Sequence, residues 1–188
     1  HMTGEPVISP LFYHFDDAAC RTDMDAFMLG VDVLVAPVVE EGATSVSVYL
    51  PAVDGGWQDF HTGALHAGGQ VATVPAPLGR LPVLVRTGAV LPLATAWPDT
   101  APHDATEVQL TLFAGPGTDA AEREIFFDDG IGWGFRERDA SLILARASWN
   151  ADSVTLSARE QWSGRGRPAL SLACRGLRGR AFEQQIAI

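Results

Sequence analysis

Ser45-Val46-Ser47-Val48-Tyr49-Leu50, closed by Pro51, decides the fold class. Successive side chains of an extended chain point to opposite faces, so Val46, Val48 and Leu50 share one face and Ser45, Ser47 and Tyr49 the other. That is the pattern of a strand half-buried against a core. Outward from it, short β-rich runs recur at 31–38, 71–74, 83–86 and 89–91, each separated from the next by Gly, Pro or Asp. A second series follows at 107–113, 123–127, 142–149, 153–159, 170–174 and 180–186. Between the two series, 94–104 is rich in proline and loses its periodicity, which marks a connection between two β modules. Upstream, the proline-framed apolar run 6–12 reads as a buried or edge strand. One helix is expected at 22–30: Thr22 and Asp25 are spaced like a capping box, Met24, Phe27 and Met28 share a helical stripe, and Gly30 supplies the stop. The fold class is therefore all-β, with two sandwich modules behind a short amino-terminal strand and helix.

Composition narrows the function. The chain has 188 residues, of which 47% are hydrophobic and 19% charged, as in a soluble globular protein large enough to bury a core without disulfides or metals. Its 13 basic and 23 acidic side chains leave a net charge of −10, which argues against nucleic acid, because binding a phosphate backbone requires opposing charge. Every basic residue is Arg, so a P-loop lysine, a Schiff-base lysine and a lysine general base are all excluded. Cys20 and Cys174 are too few for a disulfide scaffold and read as free thiols. No uncharged apolar run has the length of a membrane span, and no signal-peptide pattern opens the chain, so no membrane partner is expected and the compartment is left open. His1-Met2 reads as a cloning remnant and Thr3 onward as the start of a piece of a longer protein. Charge is uneven: residues 1–140 hold 6 Arg and 20 acids, residues 141–188 hold 7 Arg and 3 acids. Self-complementarity within the chain is the simplest account.

Candidate chemistry is sparse. His14, Asp16, Asp17 and Cys20 bring metal-ligand types together, but strand alternation separates Asp17 from His14 and Asp16, and a satisfied loop explains them better. Asp128-Asp129-Gly130 offers two carboxylates, yet sequence neighbours rarely converge across a glycosidic bond, and Asp-Asp-Gly is more simply a turn. No Gly-x-Ser-x-Gly element occurs, so no catalytic residue, cofactor or metal ligand is assigned. Of Trp57, Trp97, Trp133, Trp149 and Trp162, most suit a core or an interface, while flat indole faces also stack on sugars. Trp57, beside Gly55-Gly56 and just ahead of Asp59, reads either as a loop-borne sugar platform or as a strand-end core filler. Trp57, Asp59 and His61 are the candidate carbohydrate contacts.

Longer stretches carry a resemblance. Phe27-Met28-Leu29-Gly30-Val31-Asp32-Val33-Leu34-Val35-Ala36-Pro37-Val38, Glu41-Gly42-Ala43-Thr44 and Val48-Tyr49-Leu50-Pro51 resemble glycoside hydrolase family 31. So do Trp57-Gln58-Asp59-Phe60-His61-Thr62-Gly63, Gly68-Gly69-Gln70, Pro75-Ala76-Pro77-Leu78 and the run from Leu81 to Pro92. These look like that family's proximal carboxy-terminal domain, and Phe127-Asp128-Asp129-Gly130 is similar to the acidic turn of its distal one. Ser9 departs from the pattern, standing where the family commonly shows Arg before Pro-Leu-Phe. The resemblance implies an α-glucosidase or α-xylosidase whose (β/α)8 barrel lies upstream and carries two catalytic Asp residues, neither of them in this chain. On that reading, residues 1–30 are the remnant of the barrel's end, 31–100 the proximal sandwich and 101–188 the distal one. The role implied is accessory, with the barrel of the same protein as partner. A carbohydrate-binding module that takes an oligosaccharide, and an interaction domain that forms a homo-oligomer, remain as alternatives.

Overall fold

A computed structural model describes residues 4–96, 107–128, 132–164, 168–176 and 181–187. They divide into two compact units, His1–Thr87 and Gly88–Ile188, each built as two sheets around its own core.

The first unit holds β1 (Ile8–Pro10), β2 (Phe27–Leu29), β3 (Val33–Val35), β4 (Ser45–Leu50), β5 (Trp57–Asp59), β6 (Leu65–His66), β7 (Gln70–Pro75) and β8 (Val83–Arg86). Six of them form one sheet in the order β1-β2-β3-β8-β5-β6, and β4 pairs with β7 in a second. The alternation read in 45–50 is realised: Val48 and Leu50 enter the core, while Ser45 and Ser47 face solvent. Leu11, Met28, Leu34, Trp57, Val74 and Leu84 join them in one apolar cluster, so the two sheets are held by burial between their facing sides.

The helix expected at 22–30 does not form. The segment instead enters the sheet as β2, paired antiparallel to β1 on one side and to β3 on the other. Thr22 does not cap it, because its hydroxyl donates to the Ala19 carbonyl at 3.0 Å and closes a preceding 3₁₀ turn. Asp23 pins the segment, accepting the Ala26 amide at 3.2 Å and the Tyr49 amide of β4 at 3.1 Å. Of the predicted apolar stripe only Met28 is fully buried, and Met24 lies 70% exposed. Ladder bonds on both edges outweigh a three-residue stripe, because helix propensity is a weak prior against tertiary pairing.

The second unit holds β9 (Val90–Ala96), β10 (Glu107–Phe113), β11 (Ala120–Phe127), a 3₁₀ turn (Gly134–Glu137), β12 (Ser141–Trp149), β13 (Ser153–Trp162), β14 (Ala169–Arg175) and β15 (Ala181–Ala187). One sheet runs β14-β10-β9, the other β11-β12-β13-β15. β10–β14 and β13–β15 are parallel pairs, and the other pairings are antiparallel. Leu110, Leu112, Ile143, Leu156 and Trp149 fill the core. The run read at 89–91 extends to Ala96 and pairs with β10, so it belongs to this unit and not with the strands before it. Of the connection read at 94–104, residues 97–104 lie outside the described residues.

Candidate functional site

The Trp57-Gln58-Asp59 strand sits inside the six-stranded sheet, bonded to β8 and β6, and all three of its residues are buried. Trp57 is a core residue, which decides between its two sequence readings: it is wholly inaccessible, its Nε1–H donates to the Pro51 carbonyl at 2.9 Å, and Phe15 meets it edge-to-face at 6.2 Å. An indole with both faces against protein has none to offer a sugar. Gly56 precedes it at φ +74°, where an added Cβ would collide with the His66 carbonyl, so β5 and β6 approach here only because the residue is glycine.

Asp59 is also internal. Its Oδ1 accepts the amides of His61 at 2.9 Å and Thr62 at 2.6 Å, and Arg80 Nη2 lies 3.3 Å away. The Asp59 amide bonds the Ala64 carbonyl and the Gly63 amide bonds back to the Asp59 carbonyl, both at 2.8 Å, so this carboxylate is the hub of the 59–64 turn. Burial alone would raise its pKa, but the Thr62 and His61 hydrogen bonds and the Arg80 charge outweigh it and hold the group below its ordinary 3.8. It is an ionised anchor of the turn, held through Oδ1. His61 alone of the three candidates is exposed, and its Nε2–H donates to the Leu81 carbonyl at 2.9 Å. The three therefore assemble a turn and not a common surface. Arg80, the partner of Asp59 from 21 residues away, carried no sequence signal, because the ion pair exists only once the chain has folded.

Of the ligand-type residues of 14–20, His14 and Asp17 are hydrogen-bonded, Cys20 is buried and Asp16 faces solvent. His14 Nε2 lies 2.8 Å from Ser9 Oγ. Asp17 accepts the Tyr49 hydroxyl at 3.1 Å. Cys20 is wholly buried, and desolvation, with the charges of Asp17 and Asp23, pushes its thiol up to about 11, far from a reactive thiolate. Among the described residues, no three His, Cys, Asp or Glu side chains gather as a metal site. A concavity of about 250 Å³ opens beside β4, rimmed by Asp25, Glu40, Val39 and Ser47. Of the pair Asp128-Asp129, Asp129 lies outside the described residues, as does Trp97.

In the second unit, Trp149 repeats the logic of Trp57, buried with its Nε1–H on the Gly115 carbonyl at 3.0 Å. Trp133 does the reverse. It stands 68% exposed just before the 3₁₀ turn, with the Arg136 guanidinium 4.3 Å from its ring centroid. Gly132 and Gly134 flank it, a turn signal that sequence reasoning passed over.

A pair of two-sheet sandwiches, the first organised around a buried Trp-x-Asp turn, places the molecule among the all-β domains. Residues 4–91 match the family described as "Glycosyl hydrolase family 31 C-terminal domain", and that stretch of the chain is similar to the family's C-terminal region. The chain is similar to neutral alpha-glucosidase C of Homo sapiens, with 41% identity over 96 residues, covering 50% of this chain and 10% of the relative. It also resembles the GH31 alpha-xylosidase of Xanthomonas citri, with 26% identity and a TM-score of 0.77 over 95% of this chain and 19% of that one. The GH31 dextranase of Flavobacterium johnsoniae matches with 25% identity and a TM-score of 0.77, over 90% of this chain and 22% of that one. The chain thus spans 10% to 20% of the curated relatives' lengths. No described helix is long and apolar enough to cross a membrane.

Proposed function

We propose that this chain is the accessory β-region of a family 31 α-glycoside hydrolase, bracing a catalytic barrel in the same protein and not cleaving sugars by itself. The observation that carries this reading is an apolar group at the β1 edge of the first unit. Ile8 of β1 and Leu29 of β2 are direct cross-strand partners, and both face outward, 61% and 43% exposed. Val7, Phe12 and Tyr13 stand beside them in the chain and are also exposed. Large apolar side chains concentrated on a sheet edge are a site for burial against another body. The small share of each relative that this chain spans supplies a candidate for that body, the remainder of such an enzyme.

The test replaces this group in the enclosing enzyme. Ile8→Asp with Leu29→Asp should leave the chain alone folded, while in the full enzyme it lowers both the thermal midpoint and the α-glycosidase activity. A full enzyme indifferent to both changes would overturn the bracing role.

A further inference from the structure

The second unit carries an aromatic surface that the bracing role does not use. Ile125 of β11 and Ile143 of β12 point into the core and pair with each other, so their neighbours Phe126 and Leu142 point to the outer face. Phe126 pairs with Leu142, and Leu142 with Trp162 of β13, which sets three half-buried apolar side chains in a row across one end of the sheet. The 3₁₀ turn leading into β12 adds to this end. Its flanking residue Arg138, in left-handed conformation at φ 62°, places its guanidinium 5.1 Å from the Trp162 ring centroid. The same turn carries exposed Trp133, stacked with Arg136 and 5.9 Å from the Phe135 ring.

The turn is held in place. The Asp139 and Arg138 amides bond back to the Gly134 and Phe135 carbonyls. Beneath it, Gly164 lies so close to the Ala140 backbone that no side chain would fit. Trp133 is thus presented by a fixed support, so a ligand would not have to order the loop before binding.

We propose that this end of the second unit binds the pyranose rings of a neutral glucan, with Trp133 as the stacking platform. A sugar ring has an apolar C–H face that fits an indole and a rim of hydroxyls that fits the donors of Arg136 and Arg138. Interleaved guanidinium groups disfavour a purely apolar partner, and the carboxylates of Glu137 and Asp139 between and beside them disfavour a polyanion. The choice of glucan rests on the proposed membership of an α-glycosidase, but the binding is read on this chain alone, so its failure leaves the bracing role untouched.

Native affinity electrophoresis of the 188-residue chain, in gels containing soluble starch or dextran, tests it. Retardation in at least one gel is expected, with Trp133→Ala weakening the apparent Kd about tenfold or more, as loss of a stacking face should. Arg136→Gln, a second variant that leaves the indole in place, should weaken it less. Because Trp133 is exposed, the far-ultraviolet circular dichroism and the thermal midpoint of the variant should match the parent. Unchanged mobility in both polysaccharides, or equal retardation of parent and Trp133→Ala, overturns the proposal.

Discussion

Trp57 in the first unit and Trp133 in the second both lie next to glycine. Folding gives them opposite uses. Trp57 falls on a strand bonded on both sides, so its ring is enclosed and its one polar atom finds the Pro51 carbonyl. Trp133 falls ahead of a 3₁₀ turn and outside every strand among the described residues, so its ring stays in water under an arginine. A tryptophan's role is thus set by whether its backbone has partners on both edges, a long-range fact that local sequence does not carry.

The comparison can be broken most sharply at the two rings. Trp57→Ala should cost about 3–5 kcal/mol, the range for deleting a fully buried large aromatic, and unfold the first unit at ambient temperature or near it. Trp133→Ala should change stability by no more than about 0.5 kcal/mol, as at other exposed positions. Urea unfolding of both variants gives the two numbers, and similar values would dissolve the contrast.

Asp59→Asn sharpens the account of the first unit by removing the charge on which its turn is organised. At pH 7 the loss should be about 1.5–3 kcal/mol, the worth of hydrogen bonds to a charged group. Because the folded carboxyl sits below its ordinary 3.8, its contribution is fully present above that value and disappears as pH falls through the lower folded value. The stability gap between parent and variant should therefore close in that acid window, and a gap constant from pH 7 to pH 2 would contradict the assignment. Next in size, Gly56→Ala should cost about 1–3 kcal/mol through strain at positive φ, with the collision at His66 on top, measured by the thermal midpoint.

A small effect, of the order expected for Trp133→Ala, belongs to a surface ion pair of the second unit. Arg146 and Glu122 meet at 2.6 Å, but both side chains are more than half exposed. Arg146→Ala should cost about 0–1 kcal/mol, less at high salt, because water screens a surface pair. Denaturation at two ionic strengths would show it.

Strand positions were legible where one face met a core. The alternation of 45–50 and the runs at 83–86 and 107–113 appear as β4, β8 and β10, because period two is written in the side chains themselves. Residues 22–30 misled, since three apolar residues at helical spacing fit a strand equally once β1 and β3 claim its edges. The parallel pairs β10–β14 and β13–β15 link segments far apart in the chain, and no local pattern announces such a partner. At the site, the turn chemistry of Asp59 was local and the burial of Trp57 was not. Arg80 and the Phe126-Leu142-Trp162 row exist only through register.

The central claim is that these residues hold and present, while the cleaving groups belong to other polypeptide. Its most direct test is the purified 188-residue chain at high concentration with 4-nitrophenyl α-glucoside and α-xyloside. The account predicts release of nitrophenol no faster than the buffer blank. Saturable turnover that rises with chain concentration would contradict it.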